Sequence, residues 1–118
     1  MLKLRPGIQI YLSVSAVDMR KSIDTLSALV VDEFNGDPRS GNLFLFLSRS
    51  FDKLKILYWD RNGFVLHYKR LERHRFIVKR IPGQQHFSLT QIQLNGLLAG
   101  LDFQLMGDFD EIDYDKIF

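Results

Sequence analysis

The chain contains no cysteine. Disulfides, thiolate nucleophiles and cysteine-ligated zinc are excluded together. Its 3 prolines and 8 glycines among 118 residues are too few for a collagen-like, mucin-like or proline-rich chain. No apolar run approaches the ~18 residues that make a membrane span. The opening Met1-Leu2-Lys3-Leu4-Arg5-Pro6-Gly7 has neither the apolar stretch nor the small-residue cleavage site of a signal peptide. A cytoplasmic protein with no membrane contact is expected. What the chain does have is 46% hydrophobic and 25% charged residues, enough for one core at this length.

The net charge of +2 conceals an asymmetry. Residues 1–80 hold 15 Lys/Arg against 8 Asp/Glu, and residues 49–80 alone hold 10 against 3. Beyond residue 80 there is 1 Lys against 6 acids. A basic segment of that density suits a polyanion, whereas an acidic end repels or mimics one. A single domain over 1–103 followed by an acidic, aromatic-rich tail over 104–118 is expected.

Local patterns outline the elements. Ile8 to Leu12 alternates after the breaker Pro6-Gly7 and reads as a strand. Asp18 reads as a helix N-cap, with Met19, Ile23, Leu26, Val30 and Phe34 making one apolar stripe and Asp24 four residues from Arg20. Asn35-Gly36-Asp37-Pro38 stops that helix. Leu43 to Leu47 is an unbroken apolar run, short enough for a buried strand. Lys53–Trp59 and Phe64–Leu71 read as a hairpin around Asn62-Gly63, which pairs Trp59 with Leu66, Leu57 with Tyr68 and Lys55 with Arg70. Tyr58 then faces His67 and Ile56 faces Lys69. Phe76-Ile77-Val78 reads as a further strand, and Ser88 with Gln91 as a capping box before Leu94, Leu97, Leu98 and Leu101. The expected fold is α+β: an antiparallel sheet of about four to five strands with a central β-hairpin, one face covered by two helices.

Several stretches together resemble one family. Val17-Asp18-Met19-Arg20-Lys21-Ser22-Ile23-Asp24 resembles the T-D-M-R-K-G-x-D signature of the TnpB-type accessory proteins of the insertion sequence sixty-six family. Asp37-Pro38-Arg39-Ser40-Gly41-Asn42-Leu43-Phe44 is similar to its D-P-x-S-G-x-L-F, and Leu54 to Phe64 to its K-x-L-Y-W-D-x-x-G-F core. Tyr68 to Arg73 and Leu97 to Asp102 come after them in the same order. Ser22 stands where the family usually has glycine, and Phe76-Ile77-Val78 lacks a tryptophan often seen there. The resemblance implies an accessory protein encoded beside a transposase, without known chemistry.

Catalysis is not expected from the residues themselves. No Gly-x-Ser-x-Gly elbow is present. His67, His74 and His86 do not fall at metal-ligand spacing. Asp18, Asp24, Asp60 and Glu72 each have a capping, turn or pairing role that competes with two-metal chemistry. Neither catalytic, metal nor cofactor residues are assigned. A basic antiparallel ribbon can meet phosphates and enter a major groove. The candidate binding residues are therefore Arg20, Lys21, Lys53, Lys55, Arg61, Lys69, Arg70, Arg73 and Arg75. The expected function is a non-catalytic role in bacterial transposition with DNA bound through the hairpin. The alternative is a protein–protein adaptor for the transposase without DNA contact. Expected partners are DNA, the transposase and other element-encoded proteins, and a second copy of the chain.

Overall fold

The computed structural model describes residues 4–106. The strands β1 (Ile10–Ser13), β2 (Leu43–Leu47), β3 (Lys53–Asp60), β4 (Gly63–Arg70) and β5 (His86–Leu89) form one sheet in the order β4-β3-β2-β1-β5. Helix α1 (Ile23–Phe34) lies between β1 and β2, and α2 (Gln91–Leu98) comes after β5, with a short 3-10 turn at Phe103–Leu105. The α+β class holds, and the hairpin, central in the chain, stands at one edge of the sheet with β4 outermost. One pairing departs from the antiparallel expectation: β1 and β2 are parallel. A helix inserted between two strands returns the chain in its original direction, and α1 does that here.

The two helices cover opposite faces, which corrects the expectation of one. Phe44, Phe46 and Leu57 pack with Leu26 and Val30 of α1. Leu43, Leu45, Leu47, Leu54 and Ile56 pack with Leu94 and Leu97 of α2, together with Phe76, Phe87 and Phe103. This explains the unbroken Leu-Phe-Leu-Phe-Leu of β2, all five of whose residues are buried. A strand covered on both sides has no polar position to alternate with. Each fully buried Leu or Phe contributes about 1.5–3 kcal/mol, so this double-sided strand anchors the domain.

Four further expectations shift. Helix α1 begins at Ile23 behind Ser22, four residues later than the Asp18 reading. Asp18 instead accepts from Arg20 N–H at 2.9 Å and from the Arg20 side chain, closing a turn ahead of the helix. Arg20 is thus paired with Asp18, and the Asp24 pairing is not made. The hairpin turns on Arg61-Asn62, one residue early, with Arg61 at φ 54°. Every cross-strand partner consequently moves by two, giving Trp59–Phe64, Leu57–Leu66 and Lys55–Tyr68. That register sets Trp59 edge-on to Phe64 at 5.0 Å and Lys55 over the Tyr68 ring.

Phe76 to Val78 forms no ladder; Phe76 N–H bonds Phe51 O and its ring goes into the core. The fifth strand is His86–Leu89, where Phe87 and Leu89 alternate inward. Ser88 therefore lies in a strand, and the capping box sits two residues on. Thr90 Oγ1 accepts from Gln93 N–H, and Gln93 Oε1 accepts from Thr90 N–H. Asn35 takes the left-handed position that ends α1, as its sequence context suggested. The folded body continues through Met106, and the rest of the expected tail, residues 107–118, lies outside the described residues.

Candidate nucleic-acid interface

Three loops meet at the end of the sheet where the parallel strands β1 and β2 have their carboxyl ends. The first is the β1–α1 loop, tied back by a hydrogen bond from Val17 N–H to Leu47 O at 2.9 Å. The second is the β2–β3 loop, Ser48 to Asp52. The third is the segment after β4, where Leu71 N–H bonds Asp52 O and Phe76 N–H bonds Phe51 O. Between the first two lies a cleft of about 520 Å³ lined by Val17, Asp18, Met19, Arg49, Ser50 and Lys53 among others. Open sheets with parallel strands place ligands outside such carboxyl ends.

The β2–β3 loop is held by Asp52. Its carboxylate accepts from the hydroxyls of Ser50 (2.5 Å) and Ser48 (3.3 Å) and from Lys53 Nζ at 3.0 Å. Those bonds, Ser50's foremost and Lys53's next, bring its pKa down to about 2. Asp18 is held below the usual carboxylate range by the Arg20 guanidinium. Both acids stay ionised while each engages a neighbouring cation.

The nine candidate cations separate into groups. Lys55 is half-buried on the α1 face, and its ammonium donates to Met19 O and Lys21 O, both at 2.7 Å. Lys69 donates to Leu98 O at 2.6 Å, closing the last turn of α2. These two hold the fold. Arg20, Lys53 and Arg70 pair with Asp18, Asp52 and Glu72. Glu72 in turn raises the Arg70 pKa, chiefly through its hydrogen bond. Arg61 sits at the hairpin tip, about 23 Å from the open end by strand length. Lys21, Arg73 and Arg75 are exposed and form no ion pair with a described residue.

Arg49 joins those three. It is exposed between Ser48 and Ser50 and lines the cleft. The sequence reading omitted it because it precedes the hairpin strands; its position in a loop directly after the most buried strand was the usable signal. Arg39 also lay outside the candidate set, and its guanidinium stacks over Trp59 at 5.1 Å from the ring centroid. The acids weighed for metal chemistry are dispersed, Asp60 lying within 3.5 Å of Arg5. No three His, Cys, Asp or Glu converge on a metal position among the described residues. Among those residues no helix is long and apolar enough to cross a membrane.

A model of the family described as "IS66 Orf2 like protein" matches residues 8–107. Two similar proteins come from Sinorhizobium fredii (strain NBRC 101917 / NGR234). "Uncharacterized protein y4jC" is 36% identical over 98 residues, covering 82% of this chain and 82% of its own length. "Uncharacterized protein y4hO" is 32% identical over 104 residues, covering 88% of this chain and 90% of its own. No solved structure gives a significant match.

Proposed function

The chain belongs to the IS66 Orf2 like protein family, a transposition-associated accessory family, and on that footing we propose that it is a non-catalytic protein that grips the DNA backbone through one end of its sheet. The observation that supports this reading is the gathering of Lys21, Arg49, Arg73 and Arg75, without ion-pair partners among the described residues, around the loops at the carboxyl ends of β1 and β2. Cations on loops held by a rigid sheet can meet phosphates without reordering the fold. The hairpin is the support of this surface, and its Arg61 tip lies at the far end. The protein acts in the cytoplasm, where the mobile element's DNA resides, with the transposase as its working partner.

Fluorescence anisotropy with a labelled duplex tests this. Affinity falls steeply between about 50 and 200 mM salt for a protein contacting several phosphates. Changing Lys21, Arg49, Arg73 and Arg75 to Gln lowers the log–log salt slope by about 0.9 for each phosphate no longer neutralised while the melting temperature holds. Arg61→Gln leaves the slope unchanged. A slope that responds to Arg61 and not to the four loop cations assigns DNA binding to the hairpin again. Wild-type protein without salt-dependent DNA binding, but retained by purified transposase, supports the adaptor reading instead.

A further inference from the structure

The segment between β4 and β5 carries a surface that neither the fold nor the proposed DNA grip uses fully. From Arg75 to Lys79 it alternates: Arg75 exposed, Phe76 buried, Ile77 39% exposed, Val78 half-buried, Lys79 exposed. Phe76 and Val78 hold it to the core, so the outward row reads Arg73, Arg75, Ile77, Lys79, Ile81. Ile81 is 49% exposed, and Leu105, which follows the Gln104 that bonds Lys79, is 81% exposed. Exposed branched aliphatics interleaved with cations form a strip suited to an acidic, apolar-studded peptide.

The last described residues lie beside that strip. Gln104 clasps the Lys79 peptide twice, accepting from its N–H at 2.7 Å and donating to its carbonyl at 2.8 Å. The described fold therefore ends two residues past a fixed contact with the strip. Past Met106 the sequence runs Gly107-Asp108-Phe109-Asp110-Glu111-Ile112-Asp113-Tyr114-Asp115-Lys116-Ile117-Phe118. This end carries five acids against Lys116, and residues 72–81 carry Arg73, Arg75, Lys79 and Arg80 against Glu72, with the Asp102 carboxylate 3.9 Å from the Lys79 ammonium. The charges are opposite in sign, and both segments carry apolar side chains. Twelve residues reach at most ~40 Å and the nine from Arg73 to Ile81 span at most ~30 Å, so the end is long enough to cover the strip.

We propose that the strip from Arg73 to Ile81 is the docking surface for residues 107–118 of the same chain. The short tether gives the docking a high effective concentration, and the isoleucines add contact that salt does not screen. Arg73 and Arg75 belong to both surfaces, so a docked end opposes phosphate binding. The docking itself requires no DNA and stands or falls separately from the DNA reading.

Zero-length carbodiimide coupling of the dilute full-length protein, mapped by peptide mass spectrometry without nucleic acid, tests it. The expected product is an intramolecular amide between Lys79 and a carboxylate within 108–115. Its yield drops at least about fivefold in the Ile77→Ser/Ile81→Ser variant, whose exposed positions no longer offer apolar surface, at an unchanged melting temperature. Coupling shared equally among Lys21, Lys53 and Lys79 shows plain charge attraction and overturns the proposal. Coupling confined to covalent dimers assigns the strip to another copy's end and overturns it too, as does the absence of any coupling to residues 108–115.

Discussion

Lys55 lies on the strand that the basic hairpin reading placed at the centre of DNA contact, and its geometry gives it a different task. Its ammonium closes two 2.7 Å bonds to the carbonyls of Met19 and Lys21 and lies 5.8 Å from the Tyr68 centroid. These bonds tie the turn before α1 to the middle of β3. Lys55→Met keeps the apolar stem and removes the donor. Charged hydrogen bonds contribute about 1.5–3 kcal/mol each, and water reaches both freed carbonyls at this surface turn, so about half is recovered. The net loss is about 1.5–3 kcal/mol, worth roughly 4 °C per kcal/mol in a domain of this size. A melting temperature about 6–12 °C lower is expected, with a reduced urea midpoint at unchanged m-value. Arg73→Met, made at an exposed cation, stays within about 0.5 kcal/mol of wild type. A Lys55→Met protein as stable as Arg73→Met would refute the tether.

Thr90→Ala removes one half of the reciprocal cap on α2 and lowers stability by about 1 kcal/mol, measured by urea unfolding. Phe46→Ala opens a cavity at a side chain with no solvent exposure and costs about 3–5 kcal/mol, read as a fall in the thermal midpoint or in soluble yield. Asp52 has a folded pKa depressed to about 2, so its contribution is present above the unfolded value near 4 and is lost as pH falls from 4 to 2. Wild-type stability therefore declines more steeply across that window than that of Asp52→Asn; equal slopes in acid-titrated melts would count against the loop contacts. Lys69→Met frees the Leu98 carbonyl and hastens amide exchange in the last turn of α2, leaving β3 unaffected.

The core was largely legible because its patterning is strong. Ile23, Leu26, Val30 and Phe34 recur at helical spacing and pack where that spacing sends them. The apolar run of β2 announced burial without saying on how many sides, and only the parallel return through α1 resolves that. Boundary errors came from residues with two local uses. Asp18 and Ser88 both suit an N-cap, yet Asp18 closes a turn with Arg20 and Ser88 continues the alternation of β5. The hairpin turn slipped by one residue, but its partners moved by two, and a side-chain period of two left every residue on its assigned face.

The candidate site was less legible, for a reason that lies in the reach of lysine. A cation on a strand beside a helix terminus or turn finds unsatisfied carbonyls within the length of its stem. Lys55 and Lys69 are each drawn to such carbonyls, so strand cations that look like a solvent-facing ribbon become parts of the fold. Arg49, Arg73 and Arg75, in loops 48–52 and 71–76, make no such bond to a described carbonyl, and the two loops hold each other through Leu71–Asp52 and Phe76–Phe51. Their charge is left for solvent or a ligand. Lys21, Arg49, Arg73 and Arg75, which form no ion pair with a described residue, are scattered along the chain and come from loops at one end of the sheet. Counting charge within a sequence window finds the ribbon, and following each ammonium to its acceptor leads to the loops.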